Sequence, residues 1–173
     1  MKEWKEELTG WPDLSFGDIY LYLIETPSQY DKKALKAYKS LAAYNYFVSG
    51  HVKKVWYHDV SADSPFCFLK ADVIPSQRIS EKKCPWACLN KTDGSVKCAH
   101  CDCMAGLGEA CSHIAALLFK IEAAVKLGLT AASSTSKACQ WNATYRQSVD
   151  PIPLCDLTHL YKGNRTRLVT AAG

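Results

Sequence analysis

The sequence predicts an α+β domain: two N-terminal helices, a small antiparallel sheet, a ββα unit and an extended C-terminal tail. Three observations predict it. Apolar residues recur at helical spacing before Gly50, crowd into short β-branched and aromatic runs from His51, and return to helical spacing after Cys111. With 173 residues, 48% hydrophobic and 22% charged, the chain can bury a core. No apolar run approaches the length of a membrane span. The N-terminal residues, Met1 to Glu7, lack the apolar stretch of a secretory signal. The nine cysteines are odd in number and cluster with histidine. The expectation is metal binding in an intracellular reducing compartment rather than a disulfide framework. A net charge of +4 permits an anionic partner without requiring one.

The elements follow in order. Ser15 with Asp18 three residues on predicts a capping box, opening a helix whose apolar positions are Phe16, Ile19, Tyr20, Leu23 and Ile24. Thr26-Pro27 ends it. Asp31 opens a longer helix to about Ser49, with Gly50 as its stop. Leu35, Tyr38, Ala42 and Tyr46 form its apolar stripe, and Lys32, Lys36 and Lys39 a neighbouring basic one. His51 to Asp59 and Pro65 to Ile74 read as strands. Trp86 to Asn90 and Val96 to Cys103 read as a hairpin across Thr92-Asp93-Gly94-Ser95, because Asp-Gly supplies the backbone such turns require. A last helix spans about Ser112 to Lys126, with Ile114, Leu117, Leu118, Ile121 and Val125 on one face and Gly128 closing it. The expected organisation is 1–83 as a helical and strand region, 84–128 as a unit packed with it, and 129–173 as linker and extended tail.

Cys101-x-Cys103, a loop of seven residues containing Gly106 and Gly108, then Cys111-x-His113 supply four soft ligands, the number a structural zinc ion takes. Residues i and i+2 share one face of a strand, so Cys101 and Cys103 can meet one metal while His100 and Asp102 point away. Within a helix i and i+2 diverge. Cys111 must therefore precede the helix and His113 lie in its first turn, with Ser112 placed as the N-cap. Two rival sets stay open: Cys98-x-x-Cys101, and a second site built from Cys84, Cys88 and Cys98. Four Cys/His ligands leave no open coordination position, so the expected zinc is structural and the protein is not expected to be an enzyme.

The Cys101-x-Cys103…Cys111-x-His113 pattern, with the Cys-Ser-His-Ile-Ala-Ala-Leu-Leu run and a preceding hairpin bearing Trp86 and Gly94, resembles the SWIM-type zinc finger. The resemblance covers roughly Cys84 to Ala124. Lys39 to Tyr46 and Cys139 to Asn142 resemble flanks in animal, transposon-related proteins where a SWIM unit precedes a YqaJ-type exonuclease domain, a domain this chain is too short to contain. The resemblance implies one zinc ion and DNA or protein binding.

A second constellation is basic and aromatic. Lys32, Lys33, Lys36, Lys39, Lys53 and Lys54 are interspersed with Tyr30, Tyr38, Tyr44, Tyr46, Trp56 and Tyr57. Lysines at this density neutralise phosphates, and exposed rings stack on bases. A solvated helix face over an aromatic core has the same pattern. The leading expectation is a nuclear module that binds double-stranded DNA, with Lys36, Lys39, Lys53 and Lys54 on phosphates. The alternative is a protein-interaction or regulatory module of a larger nuclease-like protein, reading a peptide beside Trp86 and the last helix.

Overall fold

The computed structural model describes residues 3–25, 33–75, 81–103 and 111–131, with side chains of 33–40 outside the description. The predicted extended tail and the 139–142 flank lie outside the described residues. Helix α1 (Phe16–Tyr20) opens with the predicted capping box: the Asp18 amide donates to Ser15 Oγ, and the Ser15 amide to Asp18. It continues as one π-helical stretch, Leu21–Glu25. Ile19, Tyr22, Leu23 and Ile24 are buried, whereas Phe16 and Tyr20, read as core, are exposed. Helix α2 (Lys33–Val48) ends before Gly50, whose φ of 71° is the left-handed stop. Among the described side chains of this helix, Ala43, not Ala42, is fully buried.

Four strands follow: β1 (Val52–His58), β2 (Phe66–Val73), β3 (Trp86–Asn90) and β4 (Val96–His100), antiparallel and in the order β1-β2-β3-β4. This meander joins the regions before and after residue 84 through β2–β3 pairing. Cys67, Leu69, Ala71 and Val73 alternate inward along β2, and Ala87, Leu89 and Ala99 continue that face. Helix α3 (Ser112–Lys126) lies on it, with Ile114, Leu117, Leu118 and Ile121 wholly buried. At about 1.5–3 kcal/mol per buried side chain of this size, the face is the main apolar contribution of α3. Phe119 meets Phe16 and Tyr44 at ring-centroid distances of 6.5 and 5.5 Å, joining α1 and α2 to α3. Leu8, Trp11 and Leu14 of the N-terminal segment also enter the core, a role the helical and strand periods did not reveal. Gly94, in the β3–β4 turn, has φ 73°, and a Cβ there would stand 2.3 Å from the Asp13 carbonyl oxygen. The turn therefore requires glycine both for its backbone and for the close passage of the N-terminal segment.

One irregularity shapes the outer face. The β1–β2 register slips between Val52 and Val55, so that Val52 and Val55, three apart, both point inward. Lys53 and Lys54 are left together between them, opposite Asp72. The Lys120 ammonium, on the inner side, donates to the carbonyls of Val52 and Lys53 at this bulge.

Candidate metal centre

The end of β4 and the start of α3 deliver the ligands. Ala99 is buried on the inner face, so Cys101, two residues on, also turns inward, and His100 lies outside against Trp86. Strand β4 stops at His100, three residues earlier than the sequence predicts, and Cys101 and Cys103 lie just past its end. Cys111 is the N-cap of α3: its Sγ accepts the Ile114 amide at 3.5 Å. Ser112, expected as the cap, is instead the first helical residue. Physically, a thiolate in the cap position meets both the free amides and the positive end of the helix dipole.

Cys101, Cys103, Cys111 and His113 come together, one ligand atom from each lying within 4.8 Å of all the others. His113 Nδ1 stands 3.8 Å from Cys101 Sγ and 3.9 Å from Cys111 Sγ. Ligand atoms around a tetrahedral zinc at its usual bond lengths stand about 3.5–3.8 Å apart, so the group can close on one such ion by contracting by up to about an ångström. The electrostatics fit as well. Hydrogen bonding from Cys101 and His113 holds the Cys111 thiol well below its ordinary range, while that same bond and burial push Cys101 up. A bound metal would replace this shared proton, with Cys101 and Cys111 both holding it as thiolates.

Support around the ligands comes from three elements. The His113 ring meets Tyr46 of α2 edge-on at 5.9 Å, and Tyr46 packs on His51 at 4.9 Å. A ring nitrogen of His51 lies 2.8 Å from the Ile74 carbonyl. Asp102, expected to point away from the group, instead accepts the Cys101 thiol at 3.5 Å with the same oxygen that accepts the Cys84 amide at 3.0 Å, and so ties the ligand loop to the segment before β3.

No family model, curated protein or solved structure matches the chain. The ligand geometry therefore stands by itself: a Cys/His group able to hold one metal ion, consistent with a zinc finger. Neither rival ligand set is assembled. Among the described residues no other group of three or more candidate ligands gathers. Cys98 pairs with Cys88 on the outer face, away from Cys101, and Cys84 is exposed with its thiol on Asp72.

The binding residues expected from sequence divide. Lys36 and Lys39 lie in α2, but their side chains are outside the described residues. Lys54 Nζ contacts Glu6 at 3.0 Å, and Lys53 Nζ donates to the Gly50 carbonyl at 3.3 Å. Tyr57 turns into the core, whereas Trp56 faces outward. There the register lines up Trp56, Lys70, Trp86 and His100, one from each strand. Lys70 Nζ rests 4.0 Å above the Trp4 ring. Trp86 thus lies on the face opposite α3, so the groove expected between Trp86 and the last helix is not formed. The alternation of β3 already carried that signal, since Trp86 and the buried Ala87 must face opposite ways. No helix among the described residues is long and apolar enough to cross a membrane.

Proposed function

We propose that this chain is a SWIM-type structural-zinc module of the nucleus that binds DNA through the outer face of its sheet. Zinc is the metal that best suits three thiolates and one imidazole, and four protein donors fill its tetrahedron. The ion then joins hairpin to helix and leaves no position for a reacting water, which favours binding over catalysis. The observation that carries the binding half is the bulge: it sets Lys53 and Lys54 together on the outer side of a sheet whose next outward row is Trp56, Lys70, Trp86 and His100. Exposed ion pairs such as Lys54–Glu6 contribute little, so a phosphate can replace Glu6. Duplex DNA is the proposed partner, with Lys36 and Lys39 of α2 as further phosphate contacts.

A titration against duplex DNA, single-stranded DNA and RNA at two salt concentrations tests this. Lys53→Ala with Lys54→Ala should weaken duplex binding for all sequences alike and reduce the salt slope by about two units, one for each phosphate contact. Lys36→Ala with Lys39→Ala should do the same, with zinc content unchanged. Salt-insensitive or undetectable duplex binding by the wild type contradicts the DNA reading. A second reading has its own observation: an outer hollow of about 240 Å³ between Trp4, Trp56, Lys70, Asp72 and Cys84, of a size to take a peptide side chain. It expects little effect of the lysine pairs on DNA and a loss of protein binding on Trp56→Ala.

A further inference from the structure

We propose that Cys88 and Cys98 form a peroxide-oxidisable thiol pair, a modification site separate from the metal centre. The two residues are direct partners in the β3–β4 ladder and therefore share one face of the sheet. Directly opposed residues of antiparallel strands have Cα atoms about 4.5–5.5 Å apart. A disulfide spans Cα separations of about 4.4–6.8 Å, so the ladder holds these residues where a bridge forms without moving the backbone. Their side chains already interact by a hydrogen bond. Both cysteines are free thiols, Cys98 half-buried and Cys88 buried at 7% exposure. This asymmetry suits the two steps of thiol oxidation: an accessible sulfur that meets the oxidant and a sheltered one that resolves the product. Burial, and after it the neighbouring Cys98, push the Cys88 thiol up to about 11 against a weaker opposing pull from Lys97, which suits Cys88 to the protonated, resolving role. The metal ligands lie on the inner side at the end of β4, so oxidation at the pair leaves them untouched.

The chemistry balances with hydrogen peroxide as the oxidant. The Cys98 thiolate attacks one peroxide oxygen, the O–O bond breaks, and Cys98 becomes a sulfenic acid as hydroxide leaves and is protonated to water. The Cys88 sulfur then attacks the sulfenic sulfur; the S–S bond forms, the S–O bond breaks, and a second water departs with the Cys88 proton. Two thiols lose two electrons and two protons, and one peroxide becomes two waters. The bridge fastens the hairpin beside Trp86. The assignment does not depend on the nucleic-acid reading.

The experiment uses the full, zinc-loaded chain with limiting peroxide, followed by peptide mapping and zinc analysis of the same sample. The expected result is one Cys88–Cys98 bridge, a mass lower by about 2 Da, reversal by dithiothreitol, and retained zinc. In Cys88→Ser, Cys98 should remain as a sulfenic acid that dimedone traps; in Cys98→Ser, Cys88 should stay a thiol at the same peroxide dose. The proposal is overturned if both thiols survive in the wild type after other cysteines have oxidised. It is equally overturned if the first bridge forms among Cys101, Cys103 and Cys111 with release of zinc.

Discussion

Helix α3 is fastened to the sheet by two unlike devices. At its N-terminus, Cys111 and His113 meet Cys101 and Cys103 in a compact ligand group. Two turns further on, Lys120 is buried to 5% exposure and donates to the Val52 and Lys53 carbonyls at the β1 bulge. The first device would gain its strength from a bound ion. The second satisfies two strand carbonyls but keeps an ammonium out of water with no carboxylate beside it among the described residues. Burial, and to a lesser degree Lys53, lowers the Lys120 pKa to about 8. The ligand group is thus the energetic tie and the lysine a positional one: it fixes where the bulge sits, at a cost in solvation.

Breaking the ligand group should have the larger effect. Structural zinc contributes about 10–16 kcal/mol of apparent binding energy in zinc-finger peptides, comparable to the whole stability of a domain. Cys103→Ser or His113→Ala should therefore weaken zinc retention, lower the melting temperature and loosen α3, as amide exchange along 112–126 would report. An unchanged melting temperature in Cys103→Ser would make the group peripheral to stability.

The lysine should act through pH. Its folded pKa lies below the ordinary lysine value of 10.5, so the unfolded chain holds the proton more tightly. Stability should therefore rise between about pH 8 and 10.5, by on the order of 3 kcal/mol for a shift of this size. Lys120→Met should flatten that rise relative to the wild type in parallel denaturant titrations. A wild-type slope that Lys120→Met leaves intact would mean that other groups produce it. The smallest effect on the metal should come from Cys67→Ser. Cys67 is fully buried on β2, its thiol donating to the Leu89 carbonyl at 3.7 Å. That substitution should cost some core stability, yet leave zinc stoichiometry unchanged.

The two devices also differ in how far the sequence announces them. The ligand group is written as a local pattern, because strand and helix periods fix which of four nearby residues can converge. The capping box at Ser15 and Asp18 and the Asp-Gly hairpin were legible for the same reason: each is a short-range rule satisfied by adjacent residues. Lys120 was not, since it sits within Leu117-Leu118-Phe119-Lys120-Ile121 and its partners are carbonyls some 67 residues earlier. The bulge left a trace in Val52-Lys53-Lys54-Val55, where two valines three apart break the period of two, but only the pairing register turns that trace into a position. Phe16 and Tyr20 misled because the buried face runs through Ile19, Tyr22 and Leu23, a set that the same helical period allows. Ser112 misled because the usual cap preferences do not count a cysteine, and here the Cys111 sulfur takes the Ile114 amide.

The central claim is that one zinc ion joins β4 to α3 through Cys101, Cys103, Cys111 and His113. X-ray absorption at the zinc edge, on protein purified with its native metal, tests it most directly. The expected result is about one zinc per chain, with three sulfurs at about 2.3 Å and one nitrogen at about 2.0–2.1 Å. That shell should be lost in Cys111→Ala with His113→Ala. Zinc absent from the wild type, a shell dominated by oxygen, or full occupancy retained in the double variant would contradict the account.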